Sequence, residues 1–490
     1  MDQIIDFLLS IVQYFFDHLM VINGFLAIII IFFQRKNPKT VWTWLLALYF
    51  LPVVGFVLYL LIGIDMRKEK MFRVKEVEDR LHELIRKQEW QVKHHSFKDN
   101  APGITGYEDL VMYNLDSMGC MLTAHNDIDI FVDGNAKFDQ MIEDMRSAEK
   151  FIHIQYYIIK NDVLFHRIVD VLKEKVAQGV EVRILYDAMG CRFVRKKFWK
   201  ELNKTGIKTA EFFPAFFRWF QLRINYRNHR KIVVIDNKIG YVGGFNIGKE
   251  YIGLDPKFGH WRDTHLRIKG EAVSGLELRF MLDWNYTAKE NLFKEEKYSI
   301  GFEKGQRDDC DVQIIYSGPD TADQQIRDNY IRLINKAQKS IYIQSPYFIP
   351  DEAMLAALTI ALRSGIEVNI MIPCMPDHPF VYWATHSYMG EMVMQGANCY
   401  IYEDGFLHAK GLIVDEKVFC YGTANMDVRS FALNFEVNAT VYNEAKAREM
   451  TEIFREDLRR CTLVTKDMYA GRKLKIRFKE QISRLLSPLL

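Results

Sequence analysis

The chain has 490 residues, more than one hydrophobic core needs, so two or three domains are expected. Its 49% hydrophobic and 26% charged residues exclude disorder over most of the length. Lys and Arg total 65 against 63 Asp and Glu, and a net charge of +2 is too small for a protein built to grip nucleic acid. Seven cysteines, no two closer than 21 positions, fit neither a CxxC zinc site nor a disulfide scaffold, and the odd count suits a reducing compartment.

Residues 1–65 read as two transmembrane helices. Val41 to Ile64 is a run of 24 residues without a charge. As a helix it reaches roughly 36 Å, enough for a hydrocarbon core about 30 Å thick. Pro52 and Gly55 are tolerable there if neighbours take up the freed backbone groups. The other span is expected over Phe15–Phe33, with an interfacial helix over Ile4–Phe16 before it and the loop Gln34–Thr40 after it. A cleaved signal peptide is disfavoured because the opening MDQIID is acidic and no small-residue cleavage site stands out. Arg67, Lys68, Lys70, Arg73 and Lys75 follow the second span, against Arg35, Lys36 and Lys39 in the loop, which places the long C-terminal part on the cytoplasmic side.

Residues 66–115 read as a juxtamembrane helical linker, charged up to about Phe97. Beyond it short strands and helices alternate to the end, the pattern of an α/β fold with mixed sheets flanked by helices. The alternation contains an internal repeat. Phe151-Ile-His-Ile-Gln-Tyr-Tyr-Ile158 is echoed by Ile341-Tyr-Ile-Gln-Ser-Pro-Tyr-Phe348, and Gln178-Gly-Val-Glu-Val-Arg-Ile-Leu185 by Ser364-Gly-Ile-Glu-Val-Asn-Ile-Met371. Echoes in the same order predict two tandem, pseudo-symmetric domains, over residues 116–300 and 301–490.

A third echo carries chemistry. His229, Lys231, Asp236 and Asn246 in the first copy match His408, Lys410, Asp415 and Asn425 in the second, as H-x-K-x4-D-x6-G-x-x-N with 17 residues from His to Asn each time. On an extended chain His and Lys two apart share a face. Two such half-sites brought together suit a phosphodiester. Lysines and asparagines bind the non-bridging oxygens, one histidine attacks phosphorus and the other protonates the departing alkoxide. The lysines supply the positive charge, so neither a metal ion nor a cofactor is called for. Asp236 and Asp415 either join the catalytic set or only brace the turns on which they stand, and the asparagines either bind phosphate or shape the turn.

The duplicated motif resembles that of the phospholipase D superfamily, and the chain as a whole resembles its bacterial cardiolipin synthases. The resemblance takes in the two N-terminal spans, the Asn225–Asp236 block, the Trp261-Arg-Asp-Thr-His265 block, the Gly422–Glu436 stretch and the Ser487-Pro-Leu-Leu ending. It implies phosphatidyl transfer from one phosphatidylglycerol to another through a phosphohistidine, at a membrane rich in anionic phospholipid. His229 is then the usual nucleophile, with His408 as acid and later base, although pseudo-symmetry leaves that assignment open. It also implies that Asp263 and Glu436 orient the histidines, 34 and 28 residues beyond the histidine of their own copy. Gly244 departs from the family's usual Ser or Thr, which Thr423 keeps in the second copy. A hydrolase, or a transferase for another headgroup, shares both half-reactions and differs only in the accepting alcohol. Both half-sites lie in one chain, so no oligomer is required to build the site.

Three further segments carry weaker signals. Gly243–Lys249 approaches a phosphate-loop pattern, but Glu250 stands where Ser or Thr must hold magnesium. The aromatic run Phe212–Phe220 reads equally as core or as a lid for acyl chains. Arg472–Arg484, with six basic residues against one acidic, reads as a basic amphipathic helix on anionic lipid.

Overall fold

The computed structural model describes residue 13 and residues 18–33, 38–59, 75–94, 102–213, 226–298, 305, 307–321 and 323–487. They fall into two compact units, one of residues 1–69 with 214–226 and one of residues 70–213 with 227–490.

In the smaller unit the expected spans take a different form. Helices run over Leu19–Phe33, Pro38–Phe50 and Val54–Leu58, and no helix among the described residues is long and apolar enough to cross a membrane. The second apolar run breaks at Leu51–Val53 because Pro52 has no N–H to continue the ladder, and Val53 turns the chain at a φ of 63°. Gly55 then lets the chain fold back, since a Cβ there would lie 2.6 Å from the carbonyl oxygen of Ala47. The rings of Trp44 and Tyr59 meet at 5.6 Å. A straight helix would hold those residues about 22 Å apart. Ile30, Trp44, Leu48 and Tyr59 form a small core, while Met20, Phe25, Ile28, Trp42, Tyr49 and Phe50 stay exposed. The interfacial helix expected over residues 4–16 (residue 13 apart) and positions 60–64 of the second span lie outside the described residues.

In the larger unit the first repeat supplies β1 (Leu122–Phe131), β2 (Phe151–Tyr156), β3 (Glu181–Asp187), β4 (Lys208–Phe212), β5 (Arg227–Asn228), β6 (Ile232–Ile235), β7 (Ile239–Gly243), β8 (Trp261–Arg262) and β9 (His265–Lys269). The second supplies β10 (Cys310–Ser317), β11 (Ser340–Gln344), β12 (Phe348–Ile349), β13 (Glu367–Pro373), β14 (Asn398–Tyr402), β15 (Phe406–Leu407), β16 (Gly411–Val414), β17 (Val418–Gly422), β18 (Met426–Asp427), β19 (Asn434–Tyr442) and β20 (Cys461–Val464). All but four of these short and long strands join one mixed sheet, with β5 attached at its side through β19. Antiparallel β1 and β10 meet at its centre. Outward from them the order is β9, β7, β6, β2, β3, β4 on one side and β19, β17, β16, β11, β13, β14 on the other, with β20 beyond. Strands β2–β3–β4 and β11–β13–β14 are parallel, as the intervening helices Val163–Ala177 and Glu352–Arg363 require. Those helices begin where Asp162 and Asp351 cap backbone N–H groups.

Each half has its own outer core, and a third core is shared. Leu276, Phe280 and Trp284 of helix Val273–Ala288 and Met450 and Phe454 of helix Glu444–Leu458 belong to one buried cluster with residues of both half-sheets. Burying one apolar surface between the repeats makes them a single body. The segment expected as a linker is in part docked on that body. Gln88 of helix Lys75–Lys93 exchanges two hydrogen bonds, of 2.7 and 2.8 Å, with the backbone of Leu122. Helix Glu108–Met118 buries Leu110, Val111 and Leu115 in the outer core of the second half.

Candidate active site

His229 stands between β5 and β6, and His408 between β15 and β16. The strand just before each histidine leaves its own repeat and pairs with the other. Strand β5 lies parallel to the start of β19, and β15 lies parallel to β8. The backbone N–H of His229 donates to Phe435 at 2.9 Å and that of His408 to Arg262 at 2.7 Å. Each imidazole is thereby set beside the acid of the opposite copy. His229 Nδ1 lies 2.9 Å from Glu436 Oε2, and His408 Nδ1 lies 2.6 Å from Asp263 Oδ2. The pairing runs across the repeats, and the offsets of 34 and 28 within each copy do not say which acid serves which histidine. With Nδ1–H donated to a carboxylate, Nε2 is the nitrogen left for a substrate. The histidine side chains keep 11% and 10% exposure while both carboxylates are fully buried, so only the imidazoles are open to a ligand.

The lysines follow from the period of two. Lys231 Nζ donates to the His229 carbonyl at 2.7 Å, and Lys410 donates to the His408 carbonyl and lies 3.8 Å from Asp263. Burial brings Lys231 down to about 7 and Lys410 to about 8. Burial also lowers His229, against the pull of Glu436, and burial followed by Lys410 takes His408 to about 4. Burial alone would raise both carboxyls. His229 and Lys231 hold Glu436 below its ordinary range, and Lys410 and His408 do the same for Asp263. Lys410 also lowers His229, and Lys231 lowers His408, so the half-sites lie within one another's field.

Gly244 has a local explanation. In the second copy Thr423 Oγ1 donates to Glu436 at 2.6 Å. In the first copy the shorter Asp263 is packed so closely that a Cβ at position 244 would run into its carboxylate. Gly with Asp and Thr with Glu are two ways of filling the same space.

Asp236 and Asp415 are not brought to the histidines. They stand at the far ends of β6 and β16, each opening a three-residue hairpin loop whose first two residues have positive φ: 53° and 57° at Asp236 and Asn237, 54° and 56° at Asp415 and Glu416. Asp236 accepts from the N–H groups of Glu149, Lys150 and Phe151 at 2.7–2.8 Å, and Asp415 from those of Gln338, Lys339 and Ser340 at 2.7–2.9 Å. Each carboxylate pins its hairpin to the entry of the neighbouring antiparallel strand, β2 or β11. Asp236→Ala is therefore expected to lower the unfolding free energy by about 2–3 kcal/mol, while turnover per folded molecule stays within twofold. Denaturant titration beside an active-site titration checks both halves of that expectation.

Asn246 is partly occupied: its Oδ1 accepts from Ile158 N–H and its Nδ2 donates to Tyr251, both at 3.1 Å. Asn425 keeps a buried Oδ1 with no hydrogen-bond partner among the described residues. Other residues of the site carry no mark in the motif. The Tyr157 ring lies 4.9 Å from that of His229. Arg230 Nη1 donates to both carboxylate oxygens of Asp283, at 2.8 and 2.6 Å, and Gln155 and Asn228 donate to the same carboxylate. In the second copy Ala409 stands where Arg230 does, and Arg262 of the first copy crosses over to pair with Asp457, joined by Gln344. The one sequence signal for these anchors was the glutamine common to both strand echoes, Gln155 and Gln344. Of the aromatic run, Phe212 and Phe213 pack against Phe435 and Tyr286, and residues 214–220 lie outside the described residues.

Comparison with known proteins agrees with this geometry. A family described as cardiolipin synthase, PLD-like domain matches residues 141–260 and 330–458, and one described as Phospholipase_D-nuclease N-terminal matches residues 21–63. The chain is 47% identical over 471 residues to cardiolipin synthase 2 of Staphylococcus epidermidis, covering 96% of each. It is 46% identical over 474 residues to the major cardiolipin synthase ClsA of Bacillus subtilis, covering 96% of this chain and 98% of that one. A crystal structure of phosphatidylserine synthase from Haemophilus influenzae shares the fold, with a TM-score of 0.59 at 14% identity over 77% of this chain and 99% of that one. With both repeats matched and relatives aligned along nearly the whole length, the chain belongs to the cardiolipin synthase family of phosphatidyltransferases within the phospholipase D superfamily.

Proposed function

We propose that the chain condenses two phosphatidylglycerol molecules into cardiolipin and glycerol through a phosphohistidine. The observation that carries this reading is the crossed pair of imidazoles, each with Nδ1 held by a buried carboxylate and each beside a buried lysine. Nε2 of one histidine attacks the phosphorus of the first lipid, and the phosphorus–oxygen bond to its glycerol headgroup breaks. The other histidine gives its proton to the departing alkoxide. In the second half the same histidine takes a proton from the glycerol hydroxyl of a second lipid, whose oxygen displaces the first histidine from phosphorus. One phosphodiester is made as another is lost, so no energy source enters. Lys231 and Lys410 stabilise charge on the non-bridging oxygens. Glu436 and Asp263 hold the two rings in register.

A bound phosphodiester anion raises the pKa of the histidines and lysines around it, so binding takes up protons. It favours a charged imidazole for the acid step although the free site holds His408 near 4. Lysines at about 7 and 8 are largely neutral above pH 8, so affinity for the donor lipid falls as pH rises past that point. The expected result is a KM that climbs toward tenfold per unit at alkaline pH with a smaller change in kcat, measured on mixed micelles.

Membrane contact is part of this reading. Helix Leu474–Leu485 is turned inside out: Glu480 and Ser483 are buried, whereas Leu474, Phe478 and Leu485 are 80%, 68% and 77% exposed. At about 100° per residue those three share one stripe, flanked by Lys475 and Arg477, which suits the interface of an anionic bilayer. The exposed apolar residues of the N-terminal unit suit a membrane anchor, with the catalytic body on the cytoplasmic side. Phe478→Glu with Leu485→Glu is expected to cut activity on phosphatidylglycerol vesicles about tenfold. Activity on detergent-dispersed lipid is expected to stay unchanged.

The direct test incubates purified protein with phosphatidylglycerol vesicles and weighs the products. Cardiolipin and glycerol in equal amounts are expected. Phosphatidic acid as the sole product overturns the transfer reading in favour of hydrolysis.

A further inference from the structure

The two half-sites match in their catalytic residues but not in their surroundings. At the C-terminal ends of β2 and β3 the first repeat opens a cleft of about 640 Å³. Its walls include Ile159, Cys191, Phe193, Val194 and Phe198. Lys160, Arg195, Lys197 and Lys249 stand at its rim, all exposed, with the carboxylates of Asp162 and Glu201 also in its lining. Lys160 is paired with Glu250 at 2.5 Å, and no ion pair with Arg195, Lys197 or Lys249 occurs among the described residues. The matching place in the second repeat, after β11 and β13, is closed: its cavity is about 10 Å³ and its charged residue is Asp377, bonded by Tyr347.

Backbone segments that carry residues of the catalytic centre also reach the cleft. Cys191 Sγ accepts from Ile159 N–H at 3.2 Å, and Ile159 is two residues from Tyr157, the ring against His229. Ile247, next to Asn246, bridges to Ile159 on the same side. Two extended residues cover at most about 7 Å, so Ile159 of the cleft lies within that reach of Tyr157 along the backbone. In the product, two phosphates flank one glycerol, and six single bonds of about 1.5 Å hold their phosphorus atoms at most about 8 Å apart.

The reactants are chemically alike but do different things, so the site needs one place for the lipid that keeps its own phosphate. We infer that this cleft is the acceptor subsite. Arg195, Lys197 and Lys249 hold the phosphate of the second phosphatidylglycerol, the apolar walls take the start of an acyl chain, and its glycerol hydroxyl is presented to the phosphohistidine. The inference rests on the transfer reading and assigns residues to one half of it.

The test compares two reactions of the full chain in mixed micelles. Exchange of deuterated glycerol into phosphatidylglycerol needs only the donor lipid and the phosphohistidine. Cardiolipin formation needs the acceptor lipid as well. The triple variant Arg195→Gln, Lys197→Gln, Lys249→Gln is expected to retain exchange within twofold. Its cardiolipin formation falls at least tenfold at low lipid fraction and recovers as that fraction rises. Phe193→Asp, at a side chain 81% exposed, is expected to do the same without disturbing the fold. Unchanged cardiolipin formation in both variants, or exchange and synthesis falling together in both, overturns the assignment. Parent protein that catalyses neither reaction overturns the transfer reading itself.

Discussion

Replacing His229 or His408 by alanine is expected to abolish release of both glycerol and cardiolipin, with kcat down by about 10⁴ or more. The double variant should be scarcely worse than either single one, because the imidazoles act on one phosphorus atom in sequence. Rapid acid quench with labelled lipid separates their roles. The variant lacking the nucleophile forms no phosphoenzyme at all. The variant lacking the acid still forms one when the headgroup is replaced by a good leaving group such as a nitrophenol, because the nitrophenolate departs without a proton. Which of the two histidines behaves in which way settles an assignment that the repeat, being nearly symmetric, leaves open. Phosphoenzyme forming in both variants would break the two-histidine mechanism.

The second large effect concerns the carboxylates. Glu436→Gln is expected to cost roughly 10²–10⁴ in kcat, as loss of the group that fixes an imidazole's tautomer does elsewhere. The effect should fall on His229, 207 positions away along the chain, and not on His408. Asp263→Asn should mirror it on His408, 145 positions away. Double-mutant cycles make the contrast sharp. Glu436 with His229 and Asp263 with His408 should be strongly non-additive, whereas Glu436 with Asp263 should come closer to adding. NMR titration of the imidazoles supplies a readout that loss of structure would not imitate, since Glu436→Gln should lower the pKa of His229 and leave that of His408 in place. Coupling of Glu436 to His408 instead would mean that the pairs do not cross.

What the sequence made legible is what it repeats. His229, Lys231 and Asn246 stand out because His408, Lys410 and Asn425 recur at the same spacing, and spacing along a strand converts directly into a shared face. The partners of the histidines were legible as residues but not as pairs. Offsets of 34 and 28 are counted along one copy, while β5 and β15 pair across copies, a tertiary fact with no periodic signature. Asp236 and Asp415 recur as faithfully as the histidines, yet they recur because both hairpins need the same brace. Repetition marks constraint, and the constraint can be a turn. Gly244 looked like a lost hydroxyl and is a space kept for Asp263. At the N-terminus an uncharged run of 24 residues was long enough to span, but Pro52 and Gly55 together let the chain double back where hydropathy sees one continuous stretch.

The crossing has a consequence for the molecule's ancestry. A sheet whose order reads alike outward from an antiparallel junction is the arrangement of an isologous dimer, in which each subunit lends its neighbour what it receives. Here that reciprocity is sealed inside one polypeptide, so the halves are hostages to each other. Neither, excised, carries an imidazole with its own carboxylate, and they are free to diverge only at the margins of the centre they share.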